Sequence, residues 1–280
     1  MPATINTNVT SMTAQRYLDN SKSTLSTSMA RLSSGLRVNT SKDDAAGLAI
    51  ASRMDTQVRG MQVAMRNAND AISLAQTAEG AIGEVADMLQ RMRELAVQSA
   101  NATNTSSDRD NLNTEYTQLA AEVQRTLTST KFNGLAVLGS DAGTNAYQVG
   151  ANAGETVSLT TTRLDNVGTM TALFSSTASS IGGATASNAS AAIAGIDNAL
   201  TLVNQQRAIY GAAQNRFDAI ISVLSVNSEN TAAARGRIMD ADFAVETANL
   251  SRSQILQQAG SVMVAQANAM PQQVLQLLSR

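Results

Sequence analysis

The sequence predicts a mostly α fold: an elongated antiparallel helical bundle or coiled coil with a small β-hairpin region. Three observations carry that expectation. Apolar residues stand at heptad spacing near both ends, with Leu18, Leu25 and Leu32 seven apart and Ile255 and Val262 seven apart beside Leu256 and Met263. A 4,3 seam, apolar at eleven of thirteen positions, runs from Met54 to Ala96. Aromatics are only 3% of 280 residues, so packing falls to Ala, Leu, Ile, Val and twelve Met, which suits thin bundles better than thick cores.

The first helix is expected over residues 8–38, where Leu25, Met29, Leu32 and Leu36 are spaced 4, 3 and 4. Gly35 and Asn39-Thr40-Ser41 break it. Ser41 is the expected N-cap of a second helix, with Asp44 three residues on as a capping-box partner at the positive end of the dipole. From there to about Asn101 neither Pro nor a loop cluster occurs. The seam Met54, Val58, Met61, Met65, Ala68, Ile72, Ala75, Glu79, Ile82, Ala86, Leu89, Arg93 and Ala96 is apolar at eleven of thirteen positions. That decides for one long helix, roughly 80 Å at about 1.5 Å per residue.

A turn at Asn101–Ser107 precedes a third helix, which Leu112, Tyr116, Leu119 and Val123 carry to about Thr128. Phe132-Asn133-Gly134 signals a turn, and the runs 147–149 and 156–162 predict a β-hairpin. Residues 165–190 offer few anchors among Ser, Thr, Ala and Gly, so a loop or short irregular tip is expected. Helical pattern resumes from Ala189 through Leu224, breaks near Asn227–Gly236, and returns from about Asp240 to Ala269 before Pro271 and an apolar tail.

His and Cys are both absent, which removes the commonest general base, the thiol nucleophile and the usual transition-metal ligands. No catalytic, cofactor-binding or metal-binding residues are expected, and the chain does not read as an enzyme. Asp43 and Asp44 fit a helix N-terminus better than an acid/base pair. Gly182-Gly183 lacks the context of a phosphate loop and reads as linker. A net charge of −2 gives no footprint for nucleic acid, and no run of 18 apolar residues suggests a membrane span. Met1 to Thr10 lacks the basic-then-apolar order of a signal peptide, so if the protein is exported, the expected route uses no cleaved signal of this kind.

A narrow apolar stripe cannot be buried by one helix alone. The long helices can bury theirs within one chain, against the third helix and the helix from residue 189. The terminal helices have few internal partners beyond each other, so packing against neighbouring copies is expected there. The assembly residues are then Leu18, Leu25, Leu32, Leu36, Ile255, Leu256, Val262, Met263, Leu277 and Leu278. Residues 1–40 carry an excess of basic side chains and residues 238–280 an excess of acidic ones, which favours pairing of the two ends mildly.

Several segments carry a family resemblance. Ala30-Arg31-Leu32-Ser33-Ser34-Gly35-Leu36-Arg37-Val38-Asn39 followed by Lys42-Asp43-Asp44-Ala45-Ala46-Gly47-Leu48 resembles the amino-terminal segment of bacterial flagellin. Gln90 to Gln98, Phe132-Asn133-Gly134, Gln148 to Asn152 and Gln254 to Gly260 resemble further flagellin segments in the family's order. The resemblance covers roughly residues 1–160 and 190–280. It implies a structural subunit of the flagellar filament, extracellular and serving motility, exported through the flagellar channel and assembled as a helical homo-oligomer. Implied partners are an export chaperone, the filament cap, hook-filament junction proteins and host flagellin receptors.

The domains it implies are 1–42 plus 237–280 as the inner filament core and 43–164 plus 189–236 as the outer tube. A short variable tip spans 165–188. Arg91, Leu95 and Glu115 match positions that an animal receptor contacts, and residues 30–51 match a peptide sensed in plants; the plainer role for these residues is contact between neighbouring subunits. Two other readings stand beside the filament subunit. One is the hook-filament junction protein, and the other a secreted adhesin whose ligand site would be the tip.

Overall fold

The computed structural model describes residues 7–174 and 180–278, with side chains given through Met270. The chain forms two compact units, Met1–Thr56 with Asn230–Arg280 and Gln57–Glu229.

In the first unit, Asn8 opens α1 (Val9–Ser34) by accepting a hydrogen bond from Ser11 N at 3.0 Å. Gly35 closes it in left-handed backbone, φ 72°, with its N–H donating to Arg31 O at 2.8 Å. The helix therefore stops short of residue 38. Leu36 instead bridges Asp240, and the N–H groups of Arg37 and Val38 donate to Met239 O. Leu36, Val38, Leu48, Ala51, Ile238 and Met239 make a small core at this crossing.

The long helix α2 (Ala45–Ser99) is capped by Asp44 rather than by Ser41: Asp44 Oδ1 accepts from Gly47 N at 2.8 Å. Asp43 reaches back instead, its Oδ2 accepting from Asn39 N, Thr40 N and Thr40 Oγ1 at 3.2, 2.9 and 3.0 Å. A carboxylate is the stronger acceptor, so it organises the turn in which Ser41 lies. In α6 (Phe243–Leu278), Asp242 Oδ1 accepts from Ala244 N at 2.9 Å. That helix runs beyond Ala269 and through Pro271, whose ring nitrogen has no N–H to give the carbonyl of Ala267. Asn8 Nδ2 donates to that carbonyl at 2.7 Å.

The second unit is built on α2, α3 (Ser106–Ser129) and α5 (Ser187–Met239). Thr105 and Asp108 form a reciprocal capping box at the start of α3. The buried seam of α2 is 61, 64, 68, 71, 75, 78, 82, 85, 89, 92, 96 and 99, alternately three and four apart. The expected seam coincides with buried positions at 61, 68, 75, 82, 86, 89 and 96. At 65, 72, 79 and 93 the buried residue is instead the one before, at 64, 71, 78 and 92.

That shift disposes of both polar exceptions. Glu79 Oε2 accepts from Gln214 Nε2 at 2.6 Å and Arg93 Nε donates to Asp197 Oδ1 at 2.7 Å, each at the edge of the seam. These two bridges also show α2 and α5 running antiparallel. Leu89, Met92, Tyr116, Val123, Leu127, Ile196, Val203, Tyr210 and Phe217 belong to one continuous core, so the long helices bury their stripes within the chain.

Two hairpins attach to this bundle. β1 (Lys131–Phe132) and β2 (Leu135–Ala136) flank Asn133-Gly134, both at positive φ (48° and 84°), as a two-residue hairpin turn demands. β3 (Thr144–Gln148) pairs with β4 (Thr156–Thr160), Thr144 opposite Thr160 and Gln148 opposite Thr156. The hairpin is held by Asn67 Nδ2 donating to Gln148 O at 3.0 Å and by an edge-to-face contact between Tyr147 and Phe217 at 5.8 Å.

Two expectations fail in this unit. Residues 165–190 are not simply a loop: a 3₁₀ turn at Leu164–Asn166 and α4 (Gly168–Phe174) are anchored by the buried side chains of Leu164, Met170 and Leu173. The few large apolar residues there suffice because Met170, Leu173 and Ile181 are buried. Nor does α5 break at 227–236. No Pro occurs there, and Asn and Gly each cost only about 1 kcal/mol or less in a helix interior, which a continuous ladder absorbs.

Candidate assembly surface

α1 and α6 lie side by side and antiparallel. Asn8 meets Ala267, Ser11 Oγ donates to Asn268 Oδ1 at 2.6 Å, and Gly260 faces Leu18 so closely that a Cβ there would stand 3.1 Å from Leu18 Cδ1. The inward face of α1 is Ser11, Ala14, Leu18, Ser21, Leu25, Ser28 and Leu32, again spaced three and four. Leucines alternate with small residues, which lets a partner helix approach. The inward face of α6 is Leu250, Ser253, Gln257, Gly260, Val264 and Ala267.

Sequence-predicted assembly residues thus divide. Leu18, Leu25 and Leu32 are half-buried in the seam against α6, and Leu36 is half-buried in the small core beyond it. They are not the free surface of α1, because α6 offers small residues where they need room. Ile255 and Val262 are 65% and 67% exposed, with Leu256 and Met263 exposed beside them. Each of Ile255 and Val262 stands two residues past a seam position, about 200° around the helix, and so points away from α1. The side chains of Leu277 and Leu278 lie outside the described residues. Val9, Met12, Tyr17 and Met29 add exposed apolar area on α1, and Phe243 and Val245 on α6. Exposed apolar residues on both terminal helices are the features from which an interaction site is built.

Arg91 and Glu115 meet on the surface of the second unit. Arg91 Nε donates to Glu115 Oε1 at 3.0 Å and its Nη1 to Glu94 Oε2 at 2.9 Å. Glu94 first and Glu115 second hold the guanidinium above its ordinary pKa. Leu95, which the resemblance groups with these two, is 1% exposed and belongs to the core. Four residues turn a helix by roughly 400°, so Leu95 sits about 40° past Arg91, toward the seam at Met92.

Arg109 escaped the sequence reading. It is 6% exposed, and its guanidinium donates to three carbonyl oxygens: Ser99 at 2.9 Å, Ala184 at 3.1 Å and Asn101 at 3.2 Å. Asn113 Oδ1 accepts from Ile181 N at 2.9 Å and Asp110 Oδ1 from Gly183 N at 3.1 Å beside it. Together they fasten the segment before α5 to the turn between α2 and α3. One signal was available: a cation in the first turns of a helix opposes the dipole, so Arg109 needed a reason to be there. Among the described residues no cluster of carboxylates could hold a metal ion, and no helix is long and apolar enough to cross a membrane.

The comparisons with known proteins agree over nearly the whole chain. Residues 5–143 match the bacterial flagellin N-terminal helical region and residues 193–278 the bacterial flagellin C-terminal helical region. The chain is 47% identical over 274 residues to a flagellin of Halalkalibacterium halodurans, covering 98% of this chain and 99% of that one. It is 41% identical over 312 aligned residues to a flagellin of Xenorhabdus nematophila, covering 99% and 100%. A solved structure from Vibrio parahaemolyticus described as flagellar hook-associated superposes with a TM-score of 0.59 at 16% identity, covering 71% of this chain and 100% of that one. That last likeness speaks to the fold alone. With both terminal family regions in place and relatives matched end to end, the chain belongs to the bacterial flagellin family, structural subunits of the extracellular flagellar filament.

Proposed function

We propose that this chain polymerises through the outward stripe of α6, Ile255, Leu256, Val262 and Met263, together with the exposed apolar residues of α1. The observation that carries the reading is the division of the terminal helices into a seam closed between them and an apolar stripe that no described residue covers. Such a stripe meets a different surface of the next copy, and head-to-tail contacts that do not close build an open helical fibre. Residues 1–42 plus 237–280 form the inner core of that fibre, 43–164 plus 189–236 its outer tube, and 165–188 a small tip. Export through the flagellar channel without a cleaved signal, an export chaperone, the cap and the junction proteins complete the assembly route. Membership of the flagellin family supports these roles.

The exposed Arg91–Glu115 pair suits contact with a neighbouring subunit or a host receptor. Leu95 does not, being enclosed by its own bundle. A hook-filament junction protein or an adhesin is not favoured, since the matched relatives are flagellins over their full length. Electron microscopy of concentrated, seeded protein tests the reading: long filaments are expected, and a stable monomer under all seeding conditions overturns it.

A further inference from the structure

The methionines are partitioned. Met12 and Met29 on α1 and Met263 and Met270 on α6 are between 52% and 63% exposed. Every other described methionine, Met54, Met61, Met65, Met88, Met92, Met170 and Met239, is half-buried or buried. All four exposed thioethers lie on the two terminal helices, among the apolar residues for which a second copy of this chain is the proposed occupant. The inference rests on that reading.

We infer that these four residues are a modification site through which peroxide controls assembly. A hydroperoxide transfers one oxygen to the thioether sulfur: its O–O bond breaks, an S–O bond forms, the sulfur loses two electrons, and water leaves when the oxidant is hydrogen peroxide. Exposure sets the order of reaction, so the four terminal-helix methionines react before Met92 and Met170, which are fully enclosed. The product is polar where the thioether was apolar and polarisable. Burying a sulfoxide between subunits without a donor to meet it is unfavourable, so the oxidised subunit joins the fibre poorly while its own core stays intact. Once assembled, the same sulfurs are covered and resist the oxidant. The free subunit is the vulnerable species, and enzymatic reduction of the sulfoxides restores it.

The test treats the full-length monomer with dilute hydrogen peroxide, maps sulfoxides by peptide mass spectrometry, and measures the critical concentration for seeded polymerisation by sedimentation. Expected are sulfoxides at Met12, Met29, Met263 and Met270 with Met92 and Met170 unreacted, a critical concentration raised roughly tenfold or more, and recovery with methionine sulfoxide reductase. A variant carrying Met12→Leu, Met29→Leu, Met263→Leu and Met270→Leu keeps its critical concentration through the same treatment. Oxidised wild type that polymerises at the untreated concentration overturns the inference, as does a loss that the reductase does not reverse. Failure of untreated wild type to polymerise overturns the assembly reading itself and is seen before any oxidant is added.

Discussion

Asn8 Nδ2 donates to the backbone carbonyl of Ala267 at 2.7 Å, across 259 positions of sequence. That carbonyl is open because the residue four further on is Pro271, which has no N–H to close the helical bond. A residue that breaks the helix ladder thereby supplies the acceptor that ties α6 to the start of α1. Asn8 also caps α1 by accepting from Ser11 N, so one side chain serves both helices. Asn8→Ala should lower the stability of the α1–α6 pair by about 1–2 kcal/mol, part from the cap and part from the lost donor. In a Pro271→Ala background the new N–H satisfies Ala267, and the same substitution should cost less. A double-mutant cycle read by hydrogen exchange on α1 measures the difference, and equal costs in both backgrounds would contradict the account.

Arg109 predicts a larger effect in the second unit. Its removal leaves the carbonyls of Ser99, Asn101 and Ala184 without their shared donor. Arg109→Met should destabilise the unit by about 3 kcal/mol, with Arg109→Lys intermediate because an ammonium cannot match the fork geometry. Urea denaturation followed by circular dichroism reads both.

Gly60 makes room for the β3–β4 hairpin. A Cβ at that position would lie 2.9 Å from Ala151 Cβ and 3.1 Å from Ala151 Cα, so the turn must move. Gly60→Val should release residues 150–155 from α2, raising their amide exchange at least tenfold while α3 exchanges as before. Unchanged protection at the turn would show that the close approach is not needed.

Acid should act through carboxylates that hold turns. Hydrogen bonds from Thr40 and Asn39 keep Asp43 below the ordinary aspartate value of 3.8, and Asn152, by side chain first and N–H second, keeps Glu155 below the ordinary 4.5. Thr105 does the same for Asp108. A depressed carboxylate contributes stability that is present above its unfolded value and is lost as pH falls through the lowered one. Thermal stability should therefore stay level down to about 4.5 as far as these groups go, and fall below that. Asp43→Asn should remove part of the acid dependence, visible as a shallower fall in melting temperature.

The sequence made much of this legible, and its misses share a cause. Helix existence, the Asn133-Gly134 turn and the main hairpin follow from local patterns that no tertiary contact overrode. The expected seam of α2 is only partly in register because Met65 and Ile72 are apolar too, and spacing alone cannot rank two adjacent stripes. Glu79 and Arg93 were the clue, since two charges on a true seam would be costly. On α6 the same ambiguity had a functional consequence. Ile255 and Val262 are the stronger apolar pair, yet the seam toward α1 uses Ser253, Gly260 and Ala267, whose smallness hides them from a hydrophobicity pattern. Arg109 was missed because its partners are backbone atoms, which no side-chain motif announces.

The most direct measurement concerns Val262, which is 67% exposed and points away from α1. Val262→Asp should leave the circular dichroism and the thermal transition of the monomer unchanged within error, because the side chain is exposed on the face of α6 turned away from α1. Seeded electron microscopy of the variant should then show no filaments at concentrations where wild type assembles fully. Filaments of normal length at the wild-type critical concentration would contradict the claim that the outward stripe of α6 builds the fibre.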